Sequence, residues 1–213
     1  MDSWWRIDLR GVYTIDNITI NQKSSHNTDL NSAKIYIGNS REKNGTANRL
    51  CTSIKDIQYP KPKSFHCDEL LSGRFITVSL PGTHFLALCE VKIYGTEKKS
   101  TFELIRINKT WVDALDYCRA RGTTLASIVD EDTQTWAELQ ASNSNSPFVW
   151  LGLRYTCTLD FWFWVENLPV TFRHWAPNGT IDDCDMSGAM EKHENHLWFS
   201  KSAASAFNFL CIK

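Results

Sequence analysis

The side chains best equipped for chemistry gather near residue 180. Asn178, Asp182, Asp183 and Asp185 put an amide and three carboxylates into one short stretch. Hard oxygens of this kind are what a calcium ion takes, roughly six to eight at a time. Two readings stay open for them: a weak cation site, or acids solvated on a loop. Sequence neighbours of this sort are not the pair of carboxylates that must flank a cleft for glycoside hydrolysis. His193-Glu-Asn-His196 is the only histidine pair at short spacing. Zinc sites on helices favour His-x-x-x-His, which puts both rings on one face, so no metal is expected there. The chain has no Gly-x-Ser-x-Gly elbow, phosphate loop or dinucleotide fingerprint, and an enzyme is not expected. The 7 cysteines are an odd count, so at least one thiol lacks a partner within the chain.

Composition narrows the setting. Lys plus Arg number 23 against 24 Asp plus Glu, with no long basic run, so the electrostatic footprint of a nucleic-acid binder is missing. Apolar stretches such as Phe85-Leu-Ala-Leu-Cys89 fall far short of the ~18–20 residues that span a bilayer. Cysteines at this density suggest disulfides, which cytosolic glutathione would not let persist. No Cys-x-x-Cys occurs, which weighs against zinc ribbons and thioredoxin-like redox chemistry. Four Asn-x-Ser/Thr sequons, at Asn17, Asn44, Asn108 and Asn178, favour a secreted or cell-surface chain. Met1-Asp-Ser-Trp-Trp5 leads straight into strand-like residues without the apolar core of a signal peptide. The expectation is that the true N-terminus lies upstream or that the chain is a fragment.

The elements that must position these groups change period near residue 100. Residues 5–9, 15–20 and 33–37 alternate apolar and polar side chains, as half-buried strands do. Strand-like runs at 75–80, closed by Pro81-Gly82, and at 86–94 complete a β-only region, which predicts a sandwich or jelly roll. Residues 96–101 are polar and short, a tight linker. Beyond it Thr110 can cap a helix over 111–120, with Trp111, Leu115 and Cys118 on one face and Gly122 to stop it. A second helix fits 131–141, capped by Asp130 and anchored by Trp136 and Leu139. Short aromatic strands follow at 148–153, 161–164 and 196–199, and His193-Glu-Asn-His196 lies in a Gly/Met/His-rich loop before a strand. Helices followed by short strands predict an α+β module. The boundaries are 1–96 for the first domain, 97–100 for the linker and 101–213 for the second.

The second region resembles a C-type lectin-like domain. The resemblance rests on Cys118, Trp150-Leu-Gly-Leu153, Phe161-Trp-Phe-Trp164, Trp175, Cys184, Trp198 and Phe209-Leu-Cys211 in that order. It implies a bridge from Cys118 to Cys211. The family's second bridge would join Cys184 to the position of Ala203, so Cys184 is left for Cys157, a pairing inferred from parity. Members that bind sugar do so through calcium held by a Glu-Pro-Asn loop, a later acid and a Trp-Asn-Asp strand. Here the loop reads Trp175-Ala-Pro-Asn178, Asp182 keeps the later acid, and the strand reads Trp198-Phe-Ser200. Asn178 and Asp182 are therefore what remains of a combined sugar and calcium site. Trp111, Trp136, Trp150, Trp162, Trp164, Trp175 and Trp198 fall where the family fills its core. An exposed Trp could instead stack on a sugar ring.

The first region resembles the C-terminal two-thirds of an F-type lectin, or fucolectin, a discoidin-like jelly roll that is N-terminally incomplete here. Trp4-Trp-Arg-Ile-Asp-Leu9, Ala33-Lys-Ile-Tyr-Ile-Gly38, Gly73-Arg-Phe-Ile-Thr-Val78 and Leu88-Cys-Glu-Val-Lys-Ile-Tyr-Gly95 carry it. It implies a bridge from Cys51 to Cys67 and leaves Cys89 unpaired, its family partner lying in the absent N-terminal part. Of a structural calcium, the resemblance leaves the carbonyl of Cys89 and the carboxylate of Glu90. Of the fucose contacts it leaves Gln22, Ser24 and Asp29 where the family has arginine forks and their acid. His26 stands as a replacement donor or as a surface-loop histidine.

The function implied is a secreted, extracellular lectin that recognises glycans or glycoproteins in innate immunity, with weakened or lost calcium and fucose sites. Calcium is allowed but not required. The competing reading is a sugar-independent protein-binding module on two degenerate lectin scaffolds. A third is an incomplete gene product whose first domain does not fold.

Overall fold

The computed structural model describes residues 2–23, 30–193 and 195–213. Contacts divide the chain into two compact units, Met1–Lys99 and Ser100–Lys213.

The first unit is a β jelly roll built on one long strand. β1 (Ser3–Gln22) is followed by β2 (Lys34–Gly38), β3 (Arg49–Ser53), β4 (Lys63–Phe65), β5 (Leu71–Leu80) and β6 (Leu88–Glu97). The sheet order is β3-β2-β5-β1-β4, with β6 also on β1. The runs read as separate strands at 5–9 and 15–20 are one strand, because the register against β5 shifts between Asp8 and Tyr13 and the chain continues through it. Arg10 sits there at φ 57, the local cost of the irregularity. β5 is central: Ile76, Val78 and Leu80 enter an isoleucine-rich core with Ile18, Ile20, Ile35 and Ile37. Its other face carries Thr77 and Ser79, which are also buried. A Cβ at Gly73 would meet the backbone of Gly38 at 2.5 Å, so the close approach of β2 and β5 requires glycine.

The second unit is α+β. Its elements are β7 (Phe102–Lys109), α1 (Trp111–Ala120), α2 (Glu131–Ala141), β8 (Phe148–Thr156), β9 (Phe161–Trp164), β10 (Met186–Glu191), β11 (Trp198–Ser202) and β12 (Phe207–Ile212). The sheet order is β11-β10-β8-β12-β7, with β9 on β8. β12 lies parallel to β8 and antiparallel to β7, so the unit closes on its own ends, with Ile212 opposite Phe102. Thr110 caps α1 by accepting from the Asp113 N–H, and Asp130 forms a capping box with Thr133 on α2. Gly122, at φ +80, follows the C-cap residue Arg121 and ends α1.

Several expectations need correction. Residues 186–191 form a strand, not a loop, and 102–109 form another that the sequence reading did not identify. The last aromatic strand begins at Trp198 instead of 196. On α2 the buried side chains are Gln134, Thr135, Ala137 and Ala141, while Trp136 and Leu139 are only half-buried. Of the seven tryptophans assigned to the core, Trp111, Trp150, Trp164 and Trp198 are buried, and Trp162 and Trp175 are half-buried like Trp136.

Candidate functional site

In the second unit the tryptophans form a continuous path from core to surface. Trp164 and Trp198 meet edge to face at 5.5 Å, Trp198 and Trp175 at 5.8 Å, and Trp175 and Trp162 at 4.9 Å. Tyr155 continues the path 5.6 Å from Trp162. The buried end is fixed by Gln134, whose Oε1 accepts from the Trp198 indole at 2.9 Å while its Nε2 donates to the His196 carbonyl. The exposed end opens into a groove of about 560 Å³ lined by Tyr155, Trp162, Arg173, Trp175, Thr180 and Asp182. An apolar hollow of about 440 Å³ on β9 and the following loop, lined by Leu159, Phe161, Phe163 and Leu168, adjoins it.

The polar groups of the groove are oriented. The Trp162 indole N–H donates to Asp182 Oδ1 at 2.7 Å. Tyr155 donates its hydroxyl to Asp160. That hydrogen bond, with burial and the charges of Asp160, Asp182 and Asp183, pushes the Tyr155 phenol up to about 12. Tyr155 is therefore neutral throughout the physiological range. Arg173 is the one basic side chain among the lining residues. Aromatic faces beside charged acceptors and a guanidinium can hold a pyranose by its apolar face and its hydroxyls.

The walls are tied together covalently and by backbone. A disulfide joins Cys157, just after β8, to Cys184, beside Asp182 and Asp183. Ser200 Oγ, on β11, accepts from the Ile181 N–H at 2.6 Å and donates to the Gly179 carbonyl at 3.2 Å. The Trp175–Gly179 turn is further held by bonds from Ala176 N to the Trp198 carbonyl and from Gly179 N to the Ala176 carbonyl.

These details bear on calcium. Ala176 is buried and offers no side-chain oxygen, and the Ser200 hydroxyl is spent on the loop backbone. Phe199 packs edge to face on Phe148. Asn178 is exposed at φ 57, and Asp182 already accepts from Trp162. Two side chains, one of them engaged, do not fit an ion that takes roughly six to eight oxygens. Asp182, Asp183 and Asp185 do not converge. Among the described residues the group of three candidate ligands brought together is Cys157, Asp183 and Cys184, and two of those are disulfide sulfurs.

In the first unit Gln22 ends β1 and is buried. Its Nε2 lies 3.5 Å from the Ile57 carbonyl, and its Oε1 has no partner among the described residues. Ser24, His26 and Asp29 lie outside the described residues. Glu90 is exposed, opposite Asn21 across the β1–β6 ladder, and pairs with Lys92 at 3.1 Å. Cys89 is an exposed free thiol, and the remaining bridges are Cys51–Cys67 and Cys118–Cys211. Of the groove residues, Asp182 was expected at a site and Trp162 and Trp175 in the core, while Tyr155, Asp160 and Arg173 carry no signal in the sequence. Nothing in their spacing signals the groove, since the fold alone brings them together.

Residues 107–213 match the C-type lectin domain family, and residues 1–78 match the NedA-like, galactose-binding domain family. Fucolectin-1 of Anguilla japonica is 42% identical over 91 residues, which are 42% of this chain and 51% of the relative. The pentraxin fusion protein of Xenopus laevis is 31% identical over 114 residues, 49% of this chain and 27% of that protein. A solved F-lectin (fucolectin) from striped bass serum, Morone saxatilis, is 31% identical with a TM-score of 0.43, over 55% of this chain and 43% of that one. The chain spans about half the length of the curated fucolectins it matches.

Proposed function

Because the chain belongs to the C-type lectin domain family through residues 107–213 and carries a discoidin-like F-type lectin domain before it, we propose that it is a carbohydrate-binding lectin whose second unit takes glycans without calcium. The observation that carries this reading is the groove in which Trp162 holds the Asp182 carboxylate beside Trp175, Tyr155 and Arg173. Stacking area and fixed hydrogen-bonding groups support it, and the side chains left at the calcium positions, Asn178 and Asp182, are few for an ion that takes roughly six to eight oxygens. The proposed sugar-contacting residues are Trp162, Trp175, Arg173 and Asp182, with Asn178 at the rim.

In the first unit the fucose positions Gln22, Ser24, His26 and Asp29 lack guanidinium forks, and Gln22 is buried, which supports a lost fucose site. Cys89 and Glu90 remain the only residues proposed toward a calcium ion there. The two domains are proposed to meet across a linker at 97–100.

Three disulfides support an oxidising, extracellular compartment. Among the described residues no helix is long and apolar enough to cross a membrane. The resemblance extends the proposal to innate-immune recognition of glycans on cells or glycoproteins.

A glycan array probed with the full chain, with and without EDTA, tests this. Binding is expected to survive EDTA and to weaken on the order of tenfold or more in Trp162→Ala, the loss of one stacking contact plus one charged hydrogen bond. Signal abolished by EDTA would move the mechanism to calcium. A second reading, protein binding without sugar, is favoured by the exposed Leu159, Phe161 and Leu168 beside the groove. A blank array from folded protein selects it.

A further inference from the structure

The first unit carries a basic cluster that includes none of the fucose positions. Trp4, Arg6 and Asp8 alternate along the start of β1 and so share one face of the sheet, opposite Ser79, Thr77 and Phe75 of β5. Three guanidinium groups surround the Phe75 ring: Arg74 at 5.0 Å from its centroid, Arg41 at 5.2 Å and Arg6 at 5.3 Å. Arg6 also lies 5.5 Å from the Trp4 ring, which is 44% exposed.

The charges do not balance. Arg74 is neutralised by Asp8 in a two-pronged pair, Nε to Oδ1 at 2.9 Å and Nη2 to Oδ2 at 2.8 Å. Asp8 Oδ1 also accepts from the Arg10 N–H at 2.8 Å, so both carboxylate oxygens are committed. Arg6 and Arg41 have no carboxylate within ion-pair distance among the described residues. Arg6 Nη1 instead donates to the Arg41 carbonyl at 3.3 Å, which brings the two residues together. Two cations that share the Phe75 ring, one of them over an exposed indole, on a platform of paired strands, suit an anion attached to a ring. Guanidinium forks bind sulfate and carboxylate oxygens in pairs, and indole faces bind pyranoses.

We propose that Trp4, Arg6 and Arg41 form a second saccharide site, one that takes an acidic sugar, with its sulfate or carboxylate on the two guanidiniums and its ring on Trp4. The site sits at the start of β1, whereas Gln22 of the fucose positions ends that strand.

Retention of the full chain on immobilised heparin, read as the affinity and its salt dependence, tests the proposal, with hyaluronan and dextran as further probes. Heparin alone binding identifies sulfate, and hyaluronan binding as well identifies carboxylate. Either supports the site. No binding to both acidic probes, or equal binding to neutral dextran, overturns it. The double variant Arg6→Gln/Arg41→Gln is expected to weaken heparin binding about tenfold or more, the loss of two charged contacts. A control that removes the same charge from the second unit, Arg106→Gln/Arg119→Gln, is expected to leave it unchanged, and equal weakening there overturns the proposal. Arg41→Gln alone, at an exposed position, keeps the test valid if Arg6→Gln disturbs folding: it is expected to weaken heparin binding several-fold in protein that still unfolds cooperatively. Unchanged affinity in folded Arg41→Gln overturns the site. Trp162→Ala is expected to retain heparin affinity, and its loss there would place the acidic sugar in the groove and overturn this assignment.

Discussion

At the scale of single residues, the groove depends on two hydrogen bonds that set charge and direction. Trp162→Phe keeps a ring for stacking and removes the N–H that holds Asp182. The expected result is a glycan affinity lower by about tenfold, since bonds to charged groups contribute ~1.5–3 kcal/mol when shielded and less at this exposed site. Titration calorimetry checks it, and unchanged affinity would remove the Trp162–Asp182 pair from the site. Tyr155 gives an independent readout. Its folded-state value is raised to about 12 by the bond to Asp160, so the stability it contributes is complete below the ordinary tyrosine value and fades as pH rises through about 12. Asp160→Asn is expected to bring the phenol titration, followed by ultraviolet absorbance, back toward the ordinary value near 10. On the acid side, burial pushes the Asp8 carboxyl up, but the Arg74 and Arg10 hydrogen bonds and the Arg74 and Arg41 charges outweigh it and hold it below the usual range. Its contribution is present above the unfolded value and is lost as pH falls through the folded one. The sequence showed Trp162, Trp175 and Asp182 because an aromatic strand and a family loop carry them. It hid Tyr155, Asp160 and Arg173, and it hid Gln134, whose partner Trp198 lies 64 residues away. Pairings of that range follow from packing and have no local signature.

At the scale of elements, legibility followed whether the shaping forces are local. Both helices run between the residues their caps indicate, because Thr110 and Asp130 bind N–H groups only three residues on. β10 was hidden for the opposite reason. Met186-Ser-Gly-Ala-Met-Glu191 has no β-branched residue, and it is a strand because β8 and β11 pair with it on both sides. β11 in turn supports the site through Ser200. Ser200→Ala leaves the Ile181 N–H without its acceptor, a loss of about 1 kcal/mol for a part-buried bond. The same change frees the wall that carries Asp182. Both stability in denaturant and glycan affinity are therefore expected to fall. Affinity unchanged at reduced stability would show that the loop needs no anchor from β11.

At the scale of the molecule, each unit holds its own core and a candidate site, with one bridge in the first and two in the second, so each binding property should follow the unit that carries it. The groove lies wholly within Ser100–Lys213, and that segment alone is expected to bind glycan but not heparin. The two bridges of this unit should separate stability from recognition. Cys118–Cys211 joins a buried helix face to β12 across 93 residues, and loop entropy gives such a closure about 4.7 kcal/mol. Cys157–Cys184 closes 27 residues at the exposed groove wall and by the same relation contributes about 3.5 kcal/mol. Replacing the first pair by alanine should lower the unfolding midpoint more, yet leave affinity intact in whatever fraction stays folded. Replacing the second should cost less stability and more affinity, because it releases the segment that carries Asp182 from the end of β8. Denaturant titration alongside glycan binding by both variants measures the two effects separately. If the second variant binds as tightly as the parent, Asp182 and its loop do not contact the sugar, and recognition must reside elsewhere on the unit.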